Sequence, residues 1–441
     1  MTRFLLALGA VLVLAPLSVA SAATNPWLEQ RVLNMTHQGG ENEHPSGTMY
    51  ALRESLGLGA DMLELDVQPT KDGTLMVLHD QSVERTTGED RSVYDLSVEE
   101  TQKLDAAFNF VPGRGTVRGL AASEYPLRGV RTGEKAPPLG YTADDFRIPT
   151  LEEVLRAFPD VPMNIEIKGR ADDDTDSFLR NADLLVALLK RVPYPPLVVV
   201  SFNQDAVDRF HKAMPDIAVA PGITGVAQFM ATGVAPEGTK ALQVPPSFNG
   251  LTIMTPDFVA RAHRAGYAVH VWFSGQEESE RVYKAMLDMG ADGLMPAKPR
   301  DLEKTLCARK DPRPAGNPNH CEGGTRQAAA RCAPRLRTAS SAGASGRVTL
   351  KLARREKDVT FACGGVVRLR GAHGASPGPR SRFGSAVFHF PYGVREVEVT
   401  AQLGPRTRGY LRRGARRLKA AGEVRVDGQS RSRARRVTLR R

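Results

Sequence analysis

Three short clusters in this chain hold residues that can bind a hard cation or move protons. The first is His37-Gln38-Gly39, which follows the apolar run at 32–36. The second opens with Glu64-Leu65-Asp66 and closes with His79-Asp80. The third is Glu166-Ile167-Lys168. Side chains alternate along a strand, so Glu64 and Asp66 share one face, and Glu166 and Lys168 share one face of theirs. A charge on a buried strand face is costly unless it is paired or bound to a metal. Three converging carboxylates repel one another, and a divalent cation relieves that repulsion. Ligands that are all oxygen select Ca2+ or Mg2+ over zinc. In the competing reading, Glu166 pairs with Lys168 and the Glu64/Asp66 pair faces solvent. The same inward-charge pattern on two separate strands argues against it. His37 and His79 are candidates for a general base and a general acid, because imidazole changes charge near neutral pH. Lys168 can place positive charge where a transition state gains negative charge.

These clusters need a scaffold that gathers strand ends. Short apolar runs lie at 32–36, 62–67, 75–78, 163–167, 197–202, 217–220, 241–244, 268–273 and 293–295. Several are rich in Val, Ile and Leu without strict alternation, as in parallel strands covered on both faces. Amphipathic stretches at 151–158, 182–190, 205–213, 257–265 and 277–289 stand between them. This order predicts an α/β fold with a parallel sheet. Asp72-Gly73 is a turn signal, so 62–67 and 75–78 form a hairpin-like excursion or consecutive barrel segments. With one of them set aside, about eight parallel strands remain, which suits a TIM (β/α)8 barrel. The first strand lacks the glycine-rich phosphate loop of a doubly wound sheet. A looser stretch at about 88–147 reads as an insertion after the second histidine motif, and as a candidate lid. Thr150 and Glu153 then form a capping box that restarts a helix.

The two ends of the chain differ from the middle. Arg3, the apolar residues 4–17 and Ala20-Ser21-Ala22 have the layout of a signal peptide over residues 1–22. The expectation is a secreted protein, extracellular or associated with the cell envelope. Residues 24–305 form the barrel, and 306–345 read as a linker with cysteines. Residues 346–441 alternate like strands at 348–352, 366–369, 386–390, 394–399 and 423–426, which predicts a small all-β domain. That domain is basic, with 24 Lys and Arg against six Asp and Glu. The whole chain has a net charge of +11, so the remainder is mildly acidic. Any docking to polyanions, such as wall polymers or anionic membrane surfaces, therefore belongs to this domain. It carries no motif for specific nucleic-acid binding. All four cysteines follow the barrel, and pairing of neighbours (Cys307 with Cys321, Cys332 with Cys363) is expected.

The motifs also carry a family resemblance. His37-Gln38-Gly39, the run from Gly59 to Val67, Thr70-Lys71-Asp72-Gly73, Leu78-His79-Asp80 and Arg85-Thr86-Thr87-Gly88 resemble the glycerophosphodiester phosphodiesterases. So do Ile148-Pro149-Thr150-Leu151 and Glu166-Ile167-Lys168, and the likeness runs over about 32–302. It implies a TIM barrel with an insertion after the second histidine motif. It places the metal on Glu64, Asp66 and Glu166, the acid–base pair on His37 and His79, and a phosphate contact on Lys168. Trp272 matches an aromatic residue that closes the pocket. The implied reaction converts a glycerophosphodiester to glycerol 3-phosphate and an alcohol. Gln38 stands where the family usually has a phosphate-binding arginine, so it is a candidate for substrate contact. Pro45-Ser46-Gly47-Thr48 and Met295-Pro296-Ala297 also depart from the family pattern, and Glu41 or Glu43 is a conceivable replacement for a missing carboxylate. Three other activities fit the same residues. They are a phospholipase-D-like enzyme on lysolipids or sphingolipids, a wall-polymer phosphodiesterase, and a polyanion binder without turnover.

Overall fold

The computed structural model describes residues 25–273, 278–314, 317–321, 332–339, 346–355, 358–360, 362–372, 382–412, 417–427, 429 and 432–440. Residues 1–22, which the sequence reads as a signal peptide, lie outside them. Among the described residues no helix is long and apolar enough to cross a membrane.

Nine strands make the first sheet: β1 (Leu33–Thr36), β2 (Met62–Pro69), β3 (Leu75–Val77), β4 (Met163–Ile167), β5 (Leu197–Val200), β6 (Ala218–Ala220), β7 (Ala241–Val244), β8 (Ala268–Trp272) and β9 (Gly293–Met295). Eight of them pair in the order β6-β5-β4-β2-β1-β9-β8-β7, all parallel. β3 turns back antiparallel onto β2 through Thr70–Gly73, so the Asp-Gly signal marks a hairpin. A parallel bridge from Val219 to Thr239 spans the remaining gap, and the sheet curls into a nearly closed TIM barrel.

A helix follows each barrel strand: α1 (Met49–Leu58), α2 (Leu151–Ala157), α3 (Thr175–Leu189), α4 (Gln204–Ala213), α5 (Ile223–Thr232), α6 (Pro256–Arg264), α7 (Glu280–Asp288) and α8 (Pro299–Arg309). Their polar caps are the expected kind. Thr48, Thr150 and Thr255 each accept a backbone N–H from the first turn that follows. The period-2 pattern sorts the strand residues. Leu63, Leu65, Val67, Ile165 and Ile167 point outward into one apolar cluster with Leu155, Leu185 and Phe210 of the helices. Met35, Met62, Val198, Ala220, Ala241 and Ala268 fill the barrel interior. Full burial of a Met or Val side chain contributes about 1.5–3 kcal/mol.

The sequence pattern does not reveal α1, α5 or α8. α5 buries Gly225 and Phe229, while Ile223 and Met230 stay exposed, so its apolar residues fall on both faces and leave no amphipathic stripe.

The insertion at 88–147 is a packed element. Val93, Tyr94, Leu96 and Ala106 join Met76, Leu78 and Ile148, while Val130, Tyr141 and Phe146 pack beside Tyr50. None of its residues lines the main cleft. Its apolar side chains are spent on the barrel flank instead.

The C-terminal region is an antiparallel sheet of β10 (Arg335–Ala339), β11 (Arg347–Ala353), β12 (Cys363–Gly371), β13 (Arg382–Phe390), β14 (Glu396–Leu403), β15 (Arg417–Val426) and β16 (Ser432–Arg440). Their order is β10-β11-β14-β13-β12-β15-β16. The sheet starts earlier than the sequence indicates, at Arg335 inside the segment read as linker, and its last strand runs into the arginine-rich end. Arg435 Nη1 donates to Leu336 O at 2.8 Å, so the first and last strands meet. The disulfides join Cys307 to Cys321 and Cys332 to Cys363, the expected neighbour pairing.

The β domain rests against the barrel end where strands begin. Arg53 of α1 donates to Tyr392 O at 2.8 Å, and Phe158, just after α2, packs near the Tyr392 ring. The opposite end, where the strands finish, carries the chemistry.

Candidate active site

The register of β2 and β4 builds the centre of the site. Asp66 pairs with Glu166 and Glu64 pairs with Asn164 across the two strands. Period-2 alternation turns all four side chains into the barrel. Carboxylate oxygens of Glu64, Asp66 and Glu166 lie within 4.8 Å of one another, and Glu64 and Asp66 are almost fully buried. The arrangement with Glu64 and Asp66 facing solvent is therefore excluded. Its other half is present: Lys168 Nζ lies 2.6 Å from Glu166 and 3.1 Å from Asp66.

The electrostatics follow from this crowding. Burial and the Asp66 charge push Glu64 up to about 8. Burial also raises Glu166, despite Lys168 beside it. Burial would raise Asp66 too, but Lys168 and the two histidines outweigh it and hold Asp66 below its usual range. Lys168 is likewise penalised by burial, yet the paired carboxylates keep it charged and raise it. Asp66 Oδ2 is buried without a hydrogen-bond partner. An orphaned anionic oxygen among crowded carboxylates fits a hard divalent cation.

His37 begins a tight turn after β1. Gln38 has φ +47°, and Gly39 and Gly40 follow at +79° and +80°. A Cβ on Gly40 would lie 2.7 Å from Pro299, so the glycine is needed for both its φ and its closeness. This turn aims the Gln38 N–H at Glu64 Oε2, 2.9 Å away. His37 Nδ1 meets Glu41 Oε1 at 2.6 Å, and its Nε2 lies 4.0 Å from Glu64. Partial burial alone would lower His37. The charges of Glu41 and Glu64 outweigh that and raise it to about 10.

His79 follows the β3 hairpin strand and has a similar partner. Its Nδ1 lies 2.5 Å from Asp80 Oδ1, and Arg85 holds the other Asp80 oxygen. Burial opposes Asp80's charge, but His79 and Arg85 depress it to about 2. Each histidine is thus held at Nδ1 by a carboxylate, which leaves Nε2 for chemistry.

His37, His79, Glu64, Glu166, Lys168 and Trp272 line one cleft of about 510 Å³. Asp66 lies just behind them. Gln38 is the exception among the expected contacts. It does not line this cleft, and its side chain accepts from Ser46 and Arg85 instead. The left-handed turn sends the side chain sideways and leaves the backbone N–H as its contribution. Trp272 stands at the wall, edge-on to Phe202 at 5.5 Å.

Several supporting residues have no clear mark in the sequence. Asn181 donates to Lys168 O at 2.7 Å and to the Tyr94 hydroxyl at 3.0 Å. Tyr94 donates to Gln68 Oε1, and Gln68 donates to His79 O. This buried chain ties the Lys168 strand end to the His79 loop, and the insertion supplies its middle link. The four-residue spacing from His37 to Glu41 was the one available signal for the His37 partner.

Comparison with known proteins agrees with this geometry. The glycerophosphoryl diester phosphodiesterase family pattern matches residues 37–299. A lysophospholipase D GDPD1 from Mus musculus is 27% identical over 311 residues, covering 63% of this chain and 88% of that protein. A glycerophosphodiester phosphodiesterase from Caldanaerobacter subterraneus subsp. tengcongensis is 28% identical over 276 residues, covering 62% and 96%. A solved structure from Silicibacter pomeroyi DSS-3 shares the fold with a TM-score of 0.50 at 18% identity, over 64% of this chain and 96% of that one. The family pattern spans more than half of the chain and begins at the first histidine of the cleft, so this protein belongs to the glycerophosphoryl diester phosphodiesterase family and is a phosphodiesterase.

Proposed function

We propose that the chain hydrolyses glycerophosphodiesters to glycerol 3-phosphate and an alcohol. The observation that carries this reading is the convergence of three carboxylates, two carboxylate-held histidines and Lys168 in one cleft. Glu64, Asp66 and Glu166 would hold one divalent cation, Ca2+ or Mg2+. When bound, the cation supplies Lewis-acid stabilisation of a phosphoryl oxygen. Lys168 adds positive charge from β4. One of His37 and His79 takes the proton from the nucleophile, which is water or a neighbouring substrate hydroxyl. The other protonates the leaving alkoxide, so the alcohol departs neutral. The Gln38 N–H keeps Glu64 in its ligating orientation. Trp272 forms the wall against which the alcohol portion rests.

Export to the cell envelope rests on the signal-peptide layout of residues 1–22, and polyanion docking by the β domain rests on its charge. A second reading, hydrolysis of lysolipids, is favoured by the lysophospholipase D relative and by the apolar residues along the cleft.

The test is release of glycerol 3-phosphate from glycerophosphocholine, with and without a chelator, beside His79→Ala. Turnover should vanish on chelation, return with Ca2+ or Mg2+, and fall about 100-fold or more in the variant. Turnover that survives both changes would overturn the scheme.

A further inference from the structure

We propose that Asn164 and Gln243 form a floor that reads a pair of neighbouring hydroxyls, so that the glycerol end of the diester points inward and the departing alcohol lies toward the mouth. This deepens the glycerophosphodiester reading and rests on it. Asn164 stands on β4 and Gln243 on β7, with β5 and β6 between them around the barrel. Gln243 Nε2 donates to Asn164 Oδ1 at 2.6 Å, and both residues line the cleft. Asn164 pairs in register with Glu64, one alternation below the Asp66–Glu166 pair. The amide bridge therefore crosses the barrel beneath the upper carboxylates. Below it the interior is closed. Met62, Ala241 and Ala268, each two residues earlier on its strand than Glu64, Gln243 and His270, are buried together in one apolar cluster.

The bridge uses one N–H of Gln243 and the carbonyl of Asn164. The Asn164 amino group and Gln243 Oε1 remain, one donor and one acceptor side by side. A hydroxyl both donates and accepts, so two neighbouring hydroxyls match this pair. A phosphate offers acceptors alone, and a quaternary ammonium offers neither. The β7–β8 side of the floor is also uncharged. His270 pairs in register with Gln243 and is fully buried, and neither ring nitrogen has a hydrogen-bond partner among the described residues. Burial pushes it down to about 3, so the ring is neutral. An uncharged donor–acceptor pair beside a neutral imidazole favours hydroxyls over ions. The mouth side, by contrast, is lined by the apolar Ile223, Val226, Met230 and Leu251. A glycerol held there would leave its hydroxyls unpaired, and at the floor it finds a partner for each.

The experiment compares kcat/KM of the full chain, supplied with Ca2+ or Mg2+, on glycerophosphocholine and on the phosphocholine diester of propane-1,2-diol. The analogue keeps the hydroxyl next to the ester and lacks only the terminal one, so water and the neighbouring hydroxyl both remain available as nucleophiles. The wild-type chain should favour glycerophosphocholine about 10- to 100-fold, because the analogue leaves one amide group unpaired at a dry floor. Gln243→Met combined with Asn164→Val removes both partners of the bridge together and leaves no half-bonded amide in the barrel. It should erase the preference, and Gln243→Met alone should lower it in the same direction. Equal use of the two diesters by the wild-type chain, or a preference that the double variant keeps, would overturn the floor. Calorimetric binding of glycerol 3-phosphate and of propane-1,2-diol 1-phosphate to the wild-type chain needs neither turnover nor a variant. Glycerol 3-phosphate should bind about 10-fold tighter or more, and equal affinities would overturn the floor. If no diester is cleaved, the phosphodiesterase reading fails, and this difference in binding still decides for or against the floor.

Discussion

Glu41 lies one turn beyond His37 and is the residue whose role sequence reasoning placed least well. Named from the sequence as a conceivable replacement for a missing carboxylate, it is the partner of His37 Nδ1. Removing its charge leaves His37 free to turn and removes the anion that stabilises the imidazolium. Glu41→Gln should lower kcat about 10- to 100-fold, with KM changed little and thermal stability retained. An unchanged kcat would show that the contact is incidental. Glu64, Asp66, Glu166 and the two histidines were legible because charges on a barrel strand and histidines at strand ends have few purposes. Gln38 was legible only as a departure from a motif. Its backbone geometry, a left-handed turn that serves Glu64, has no signature in the side chain's type. Tyr94 was not legible at all, because its bonds to Gln68 and Asn181 depend on how the insertion folds against the barrel.

The eight barrel strands could be read from apolar runs, and five helices from amphipathic stripes. α1, α5 and α8 could not; in α5 the apolar Ile223 and Met230 stay exposed while Gly225 and Phe229 are buried, which leaves no amphipathic stripe. The segment after α8 is a further case. Its Pro and Gly content reads as a linker, yet it straps the bottom of the barrel. Cys321 ties it to α8, and Arg313 bridges Glu303 and Asp61 at 2.8 and 2.6 Å. His320 meets the same two acids at 3.3 and 2.9 Å. Burial alone would lower His320, but its bonds to Asp61 and Glu303 outweigh that and raise it to about 9. A group raised in the folded state stabilises it fully below its unfolded value near 6.5, and the contribution is lost as pH rises through about 9. The melting temperature should therefore fall between pH 6.5 and 9, and His320→Gln should flatten that decline. Parallel curves for the two proteins would refute the strap's contribution.

At the scale of the whole molecule, a mildly acidic enzyme carries a basic β domain on the end away from its cleft. The alternation in residues 346–441 was enough to predict an all-β domain. Its docking was not, since Arg53 is an ordinary helix residue until Tyr392 O is placed against it. Attachment at the strand-start end keeps the β domain away from the mouth of the barrel. The central claim is that the three carboxylates at the other end form one cation site. Titration calorimetry of Ca2+ and Mg2+ into the chelator-treated full chain tests it most directly, beside Glu64→Gln and Asp66→Asn. The account predicts one cation per chain, taken up with release of protons because Glu64 is raised to about 8, and loss of binding in both variants. No uptake by the wild-type chain, or undiminished uptake by the variants, would contradict it.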